Sequence, residues 1–355
     1  MPSPAFVHLR LHSEFSITDG IVRIDEAVAR AAADGMPALA ITDLANVFGM
    51  VKFYKAARAA GVKPVIGCDV WITNESERDQ PHRLLLLTQS RPGYLKLSEL
   101  LTRAWLDNQY RGRAELRRAW FGEGTEGLIA LSGAMQGDVA AALLQDHREP
   151  AKRLAMEWAR LFPGRFYLEL QRAGAPQTES YVEAAVRLAG SCSLPVVATH
   201  PVQFLKPADF TAHEARVCIA EGQVLGDRRR PRPFTQESYF LSQAEMAKLF
   251  ADLPEALANS IGIARRCNLA LELGKPRLPV FPTPSGMSRE EYLRRQAQGG
   301  LERRLVANHG SRADESWKEK YDLRLEIELR TIIQMGFAGY FLIVAESHQI
   351  GRAHV

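Results

Sequence analysis

The sequence predicts an α/β fold in which about seven strands form a β/α barrel. Short β-rich runs alternate with helical patterns through the first 222 residues. Parallel strands require crossover connections, which such helices supply, so the alternation indicates parallel pairing. No Gly-rich phosphate-binding loop follows any of these runs. Its absence favours a barrel over an open, doubly wound nucleotide-binding sheet.

The predicted units follow one another in order along the chain. FVHLRLH precedes IDEAVARAAADG, ALAITD precedes FGMVKFYKAARAAG, and the pair KPVIGCDVWI and RLLLLTQ precedes YLKLSELLTRAW. GLIALS then precedes a helix at 138–144 and EPAKRLAMEWARLF, RFYLELQ precedes ESYVEAAVRLAG, and PVVATH precedes DFTAHEARVCIAEG. In the first helix, a buried face with i, i+3, i+4, i+7 spacing is formed by Ile24, Ala27, Val28 and Ala31.

A proline-rich stretch, GKPRLPVFPTPSG, interrupts this alternation. We therefore predict a first domain at 1–275, a linker at 276–288 and a further domain that begins at 289. Charged amphipathic helices followed by the apolar run MGFAGYFLIVAES predict a truncated α+β segment at 289–349. The tail QIGRAHV fits no element and can be encoded by a common sequencing-adapter sequence, so we predict that 350–355 derive from an adapter.

Composition excludes several classes of protein. The chain has 355 residues, 46% of them hydrophobic, and a net charge of +4, which is too mild for a protein that coats nucleic acid. No basic and apolar leader opens it, and no apolar run approaches the roughly 18 residues that span a bilayer. The four cysteines form no CxxC pair. We predict a cytoplasmic protein with reduced thiols and no membrane partner.

The stretch FVHLRLHSEF raises the question of a metal site. On a regular strand His8, Arg10 and His12 would share one face, like a row of ligands with the middle one replaced. Other His and carboxylate residues lie at or near the ends of predicted strands, where barrels gather reactive groups. These candidate ligands are His8, His12, Asp19, Asp43, Asp69, His82 and His200.

Seven motifs in this order and spacing resemble the amino-terminal third of the alpha subunits of bacterial DNA polymerase III. They are HLRLHSEFSITDG, PALAITDLANVFGMVKFY, GVKPVIGCDVWI, HRLLLLTQ, LPVVATHPVQFL, PEALANSIGIARRCN and GFAGYFLIV. The resemblance implies a polymerase-and-histidinol-phosphatase (PHP) domain, a distorted (β/α)7 barrel, followed by the start of the polymerase palm. It also implies that the palm carboxylates, which use Mg²⁺, lie beyond this chain.

Members with an intact PHP site hold a multinuclear metal centre that supports exonuclease or phosphoesterase activity. By the resemblance, the HxH of the first strand falls on Arg10 and His12, and the acid that follows is Asp19. Leu44 replaces the histidine after the Thr-Asp pair. Asp69 stands where the family has a glutamate, whose side chain is one carbon longer.

The remaining family positions are also mostly changed. The histidine that opens the LLLL strand is kept as His82, the histidine after LELQ becomes Ala173, and the late D-x-H pair falls on Pro201 and Gln203. Five of nine positions are lost, so we predict that no metal centre can be rebuilt. We expect Arg10 to stand in its place as a fixed cation, paired with Asp19 or Asp69. A single weak ion at His12, Asp19, His82 and His200 stays open as an alternative.

The resemblance sets the functional expectations. The leading interpretation is a metal-free PHP domain that supports the polymerase and docks its proofreading exonuclease. The alternative is a metal-dependent exonuclease or phosphoesterase. DNA, deoxynucleotides, the sliding clamp and other replisome subunits are expected partners of the whole protein. The favoured interpretation of a last feature is a solvated loop stiffened by Pro231 and Pro233. The alternative is contact with nucleic acid by charge, at Arg228, Arg229, Arg230 and Arg232.

Overall fold

Strands arranged in a ring form the first part of the chain. The computed structural model describes residues 5–227, 229–230, 232, 234–275, 279–284, 286–309 and 315–352. The described chain divides into two compact units, Met1–Leu271 and Glu272–Val355. The strands of the first unit are β1 (Ala38–Ile41), β2 (Lys63–Ile72), β3 (His82–Thr88), β4 (Gln109–Tyr110), β5 (Arg113–Leu116), β6 (Leu128–Leu131), β7 (Phe166–Gln171) and β8 (Val196–Thr199).

Seven neighbouring segments close the ring. Strands β1, β2, β3, β6, β7 and β8 pair in that order. The extended amino-terminal segment fills the remaining place. The His8 carbonyl accepts from the Ala40 amide at 2.9 Å, and the His12 amide donates to the Val202 carbonyl beyond β8 at 2.9 Å. The predicted barrel of seven units is therefore confirmed.

The prediction of uniformly parallel pairing is wrong for one strand. β3 runs antiparallel to both β2 and β6, whereas β1–β2, β6–β7 and β7–β8 are parallel. β2 and β3 follow each other with only the loop 73–81 between them, and such a connection is too short for a parallel crossover. The short hairpin of β4 and β5 extends the edge of β2.

Helices surround the barrel and cover one of its ends. They are α1 (Ile24–Ala33), α2 (Met50–Ala59), α3 (Arg91–Asp107), α4 (Asp138–Leu144), α5 (Arg148–Leu161), α6 (Thr178–Cys192), α7 (Phe210–Glu221), α8 (Gln243–Leu249) and α9 (Pro254–Arg266). The predicted face of α1 is buried through Ile24, Ala27, Val28 and Ala31. α9 inserts Ile263 and Ala264 into the apolar interior at the end where the parallel strands begin.

Alternate residues of each strand point into the barrel. The apolar layer contains Val65 of β2, Leu85 of β3, Ile129 of β6, Tyr167 of β7 and Val197 of β8. Since the side-chain period of a strand is two, the inward positions beyond this layer are Asp69, Arg83, Glu169 and Thr199. Polar groups therefore lie together near the end of the barrel where the parallel strands finish.

The second unit is helical in its described residues. Its helices are α10 (Arg289–His309), α11 (Glu315–Gln334) and α12 (Ala338–Arg352), and Leu293, Leu329, Ala338 and Leu342 form their shared core. The strands of an α+β segment are not found among these residues. Residues 276–278, 285 and 353–355, within the predicted linker and tail, lie outside the described residues, and the domain limits remain predictions.

No single described helix is long and apolar enough to cross a bilayer. A strongly bent pair of helices, Lys318–Gln334 with Ala338–His348, meets the length and composition of one span only when the two are taken together.

Candidate metal centre

Three cationic and three acidic side chains meet at the end of the barrel where the parallel strands finish. Arg10 and His12 come from the amino-terminal segment, and Asp19 comes from the turn that follows it. Asp69 lies on β2, Arg83 on β3 and Glu169 on β7. All six residues are at most 5% exposed. We refer to these six as the ion-pair cluster.

Arg10 joins two carboxylates from opposite sides of the barrel. Its Nε and Nη2 donate to the two oxygens of Glu169 at 2.9 and 3.0 Å, which is the bidentate geometry that favours arginine. Its Nη1 donates to Asp69 Oδ2. The contact with Asp69 is one of the two pairings predicted for Arg10, whereas Glu169 was not anticipated.

His12 lies between the other two carboxylates of the cluster. Its Nδ1 is 3.0 Å from Asp19 Oδ1, and its Nε2 is 3.2 Å from Asp69 Oδ2. Burial alone would lower the pKa of His12, but Asp19 and Asp69 outweigh that effect and raise it to about 9. The imidazole is therefore protonated at neutral pH, and each of its nitrogens lies toward a carboxylate.

Arg83 completes the charge balance. Its Nη1 donates to Asp69 Oδ2 at 3.2 Å, its Nη2 is 3.7 Å from Asp19 Oδ2, and its guanidinium lies 3.8 Å from the ring centre of Trp71. Burial opposes ionisation of Asp69 and Asp19, but the neighbouring cations hold the pKa of both carboxyl groups below their ordinary values. Three positive charges thus face three negative ones.

The donor set of the cluster does not fit a metal ion. A metal needs lone pairs, and His12 uses both nitrogens toward carboxylates, while the two guanidinium groups have none to give. Each carboxylate of the cluster is already in contact with at least one cation. Within the described part of the chain, no three His, Cys, Asp or Glu side chains group in a way that could hold an ion.

The structure brings together most of the predicted vestigial positions. A pocket of about 240 Å³ opens onto the cluster, and its walls include Ala173, Pro201 and Gln203. The Gln203 amide nitrogen is 3.3 Å from His12 Nδ1. Leu44 pairs with Asp69 through the backbone next to the cluster.

His82 is the exception, and its assignment to the site is corrected by the structure. It is the first residue of β3 and is paired with Ile72, and the charges that act on its pKa are those of Asp138 and Arg118. The next residue, Arg83, faces the cluster instead. Successive side chains of a strand point to opposite faces, so His82 and Arg83 cannot both face the cluster.

His8 and His200 lie on the outer side of the barrel wall. The Nε2 atoms of His8 and His200 hydrogen-bond to the carbonyls of Leu241 and Glu237, each at 2.7 Å. The predicted row of His8, Arg10 and His12 is therefore broken. The backbone between Leu9 and Arg10 is irregular, so that the side chains of these two consecutive residues both face the interior of the barrel. The alternative single-ion site was expected to consist of His12, Asp19, His82 and His200. Because His82 and His200 both lie away from the cluster, only His12 and Asp19 are in contact.

Two charged members of the cluster were missed from the sequence. Glu169 is a fully buried carboxylate in the otherwise apolar strand β7, where it shares the inward face with Tyr167 and Gln171. It also accepts a 2.6 Å hydrogen bond from Thr199 Oγ1. An acid in the middle of the run FYLELQ was a visible signal of a buried partner. The sequence around Arg83, which follows His82 directly, gave no comparable signal of a buried charge.

The arginine loop offers fewer free cations than predicted. Arg228 lies outside the described residues. Arg230 is buried and donates to Glu214, so it holds the loop to α7. Arg229 contacts Asp227, and Arg232 is 3.9 Å from Glu214. Counter-charges for these arginines are therefore supplied by Asp227 in the loop and by Glu214 on α7.

Comparisons with known proteins agree with this geometry. Residues 8–173 match the family described as the PHP domain, and residues 291–354 match the family described as the bacterial DNA polymerase III alpha NTPase domain. DNA polymerase III subunit alpha of Pseudomonas aeruginosa is 48% identical over 344 residues, which cover 96% of this chain and 29% of that protein. Over these residues the chain belongs to the DNA polymerase III alpha-subunit family.

Other members of the alpha-subunit family align in the same way. Subunit alpha of Neisseria meningitidis serogroup A is 49% identical, with 100% of this chain and 31% of that protein covered. The Escherichia coli K12 protein is 45% identical, with 98% and 30% covered. The chain thus spans less than a third of the length of these relatives, at their amino-terminal end.

A solved amidohydrolase structure from Chromobacterium violaceum aligns with 56% of this chain and 88% of its own. The sequence identity is 16% and the TM-score 0.41, and a likeness this weak supports no conclusion about function.

Proposed function

We propose that the barrel is a metal-free, non-catalytic domain that stabilises a replicative DNA polymerase and docks its proofreading exonuclease. The observation that carries this proposal is the ion-pair cluster, in which Arg10 bridges Asp69 and Glu169 where the family's ligands would converge. In a buried, charge-balanced network the carboxylates are neutralised by side chains and need no metal cation. Its guanidinium and imidazolium groups occupy the carboxylates that an ion would need in order to activate water for hydrolysis.

The role of the whole protein is part of the same proposal. The relatives are named DNA polymerase III subunit alpha, and from them we infer template-directed addition of deoxynucleotides to a primer end, with Mg²⁺ at carboxylates outside these residues. DNA and deoxynucleotides are then its substrates, and the exonuclease, the sliding clamp and other replisome subunits its partners. We place this activity in the cytoplasm. By itself the chain is expected to be inactive as a polymerase.

A metal-dependent exonuclease or phosphoesterase is the second candidate. One observation favours it: Asp69 Oδ1 and Gln203 Oε1 are buried beside the 240 Å³ pocket and have no hydrogen-bond donor among the described residues. An added ion could use these oxygens, provided that it displaced Arg10 or His12.

Metal content separates the two candidates. The purified 355-residue chain is dialysed against a chelator, re-equilibrated with Mn²⁺ or Zn²⁺, and analysed for metal by mass spectrometry. The metal-free proposal expects far less than one ion per chain. Stoichiometric Mn or Zn that resists the chelator would contradict it.

A nuclease assay with the same samples tests activity. We expect no release of mononucleotides from a labelled single strand with either ion, and no difference between the natural chain and His12→Ala. Release that His12→Ala abolishes would establish the second candidate. Docking is tested separately by a pull-down with the purified exonuclease subunit, and failure to bind would remove that part of the proposal.

A further inference from the structure

A group of cations lies at the opposite end of the barrel from the ion-pair cluster. Five segments meet at this end, because β2, β6 and β7 begin there, β3 ends there, and α9 finishes beside them. The Asn268 amide after α9 donates to the Gln89 carbonyl after β3 at 2.8 Å, which ties two of these segments together. Four of these segments carry one or two basic residues, and the segment before β6 carries none. We call these residues the basal cations: Lys63, Arg91, Arg165, Arg265 and Arg266.

These cations have almost no counter-charge. The segments 60–63, 89–91, 124–128, 162–166 and 264–268 contain a single acidic residue, Glu126. In the described part of the chain, none of the five basal cations forms an ion pair with a carboxylate. This differs from the arginine loop, where Arg229 and Arg230 are paired with Asp227 and Glu214.

Three of the basal cations are held in place by neutral oxygens. Lys63 Nζ donates to the Ala264 carbonyl and Asn268 Oδ1, each at 2.8 Å. Arg266 donates to the Tyr167 hydroxyl at 2.7 Å and to the Gly164 carbonyl at 3.0 Å.

Arg165 donates to the Leu128 carbonyl at 3.0 Å. Burial lowers the pKa of Arg165, and the nearby positive charge of Arg266 lowers it further. The negative charge of Glu126 acts in the opposite direction. Bonds to carbonyls fix these groups but leave their full positive charge uncompensated.

Arg91 and Arg265 add exposed charges at the rim. Both are exposed at the ends of α3 and α9, and neither side chain has a hydrogen-bond partner among the described residues. Five positive charges from four segments, three of them pre-positioned, make a surface to which a polyanion is attracted. No exposed aromatic ring accompanies them in these segments, so the surface lacks a platform on which unpaired bases would stack.

We propose that the basal cations bind the phosphodiester backbone of double-stranded DNA without reading its sequence. This inference rests on the proposed function for DNA as the ligand and deepens it by adding a binding surface away from the cluster. Its failure would leave the outcomes of the metal and docking tests unchanged. Guanidinium groups match phosphate geometry, and binding by charge alone is sequence-independent and strongly dependent on salt.

The test compares two variants that lose the same charge. Arg91→Gln with Arg265→Gln removes the two basal cations without side-chain partners. Arg148→Gln with Arg187→Gln removes two exposed arginines elsewhere, which leaves the same net charge. Binding of a fluorescein-labelled duplex of about 20 base pairs to the full chain is followed by fluorescence anisotropy at several salt concentrations.

The basal variant should bind about tenfold more weakly than the natural chain. The slope of log affinity against log salt should fall by roughly 1.8, since each lost duplex phosphate contact removes about 0.9. The control variant should stay within about twofold.

Equal weakening by both variants would mean that only net charge matters. No measurable duplex binding by the natural chain at about 50 mM salt, or tighter binding of single strands than of the duplex, would also overturn the proposal.

Discussion

Arg10 shows how one residue can change the role of a site. Its guanidinium contacts two buried carboxylates. It is the only cation paired with Glu169 among the described residues, whereas Asp69 also contacts Arg83 and His12. Removing one member of a buried ion pair typically costs about 3–5 kcal/mol, because the remaining charge stays desolvated. The residue is therefore expected to matter for folding even if the barrel has no catalytic role.

We predict that Arg10→Ala lowers the free energy of unfolding by about 3–5 kcal/mol. Arg10→Met, which keeps most of the length but not the charge, should lose a similar amount, since Glu169 is left without a cation and Asp69 keeps only Arg83 and His12. Urea denaturation followed by circular dichroism measures both. Arg187→Ala, at an exposed i, i+4 pair with Glu183, is the control and should change stability by less than about 0.5 kcal/mol. A loss below about 1 kcal/mol in both Arg10 variants would contradict the prediction.

At the scale of single elements, α3 depends on a close backbone approach. A Cβ added to Gly93 in its first turn would lie 1.8 Å from the Gly127 carbonyl oxygen before β6. That atom belongs to the backbone and cannot rotate away. Gly262 in α9 has open space where the same methyl group would lie, so the two helical glycines differ only in their surroundings.

Gly93→Ala is predicted to destabilise the protein by at least about 1–3 kcal/mol, because α3 or the strand entry must shift. Gly262→Ala should instead stabilise it by up to about 1 kcal/mol, since alanine costs less than glycine in a helix. Thermal and urea unfolding of the two variants are compared side by side. Equal effects in the two variants would show that α3 does not pack as described.

At the scale of the whole molecule, two buried neutral histidines link stability to pH. Burial lowers the pKa of His8 to about 3 and that of His200 to about 4, although hydrogen bonds to backbone carbonyls act in the opposite direction. The folded-state pKa of each lies below the unfolded value of about 6.5. Their stabilising contribution is therefore complete above a pH of about 6.5 and is lost as pH falls below it.

We expect His200→Gln to flatten this dependence. Glutamine can still donate to the Glu237 carbonyl but does not titrate. Between about pH 6 and 4.5 the natural chain should lose about 1.4 kcal/mol per pH unit more than the variant. Urea denaturation at half-unit steps of pH gives the difference, from which other titrating groups cancel. Parallel curves for the two proteins would show that His200 is protonated in the folded state.

The sequence was sufficient for the architecture and for most of the site. Alternating strands and helices specified a seven-unit barrel, and the resemblance placed Arg10, His12, Asp19, Asp69, Ala173, Pro201 and Gln203 at one end of it. Its errors share a cause. The antiparallel direction of β3, the inward turn at Arg10 and the choice of Arg83 over His82 each depend on strand direction or register, which local residue patterns specify weakly.

The sequence by itself determined which chemical groups are present: a site that has lost most of its ligands and gained an arginine. Only the tertiary structure decided which groups meet. Glu169 and Arg83 come from strands far apart in the chain, and their contacts with Arg10 and Asp69 exist because the barrel closes around them. Electrostatic pairing falls off with distance and depends on burial, so it is a property of the folded ring and not of any one segment.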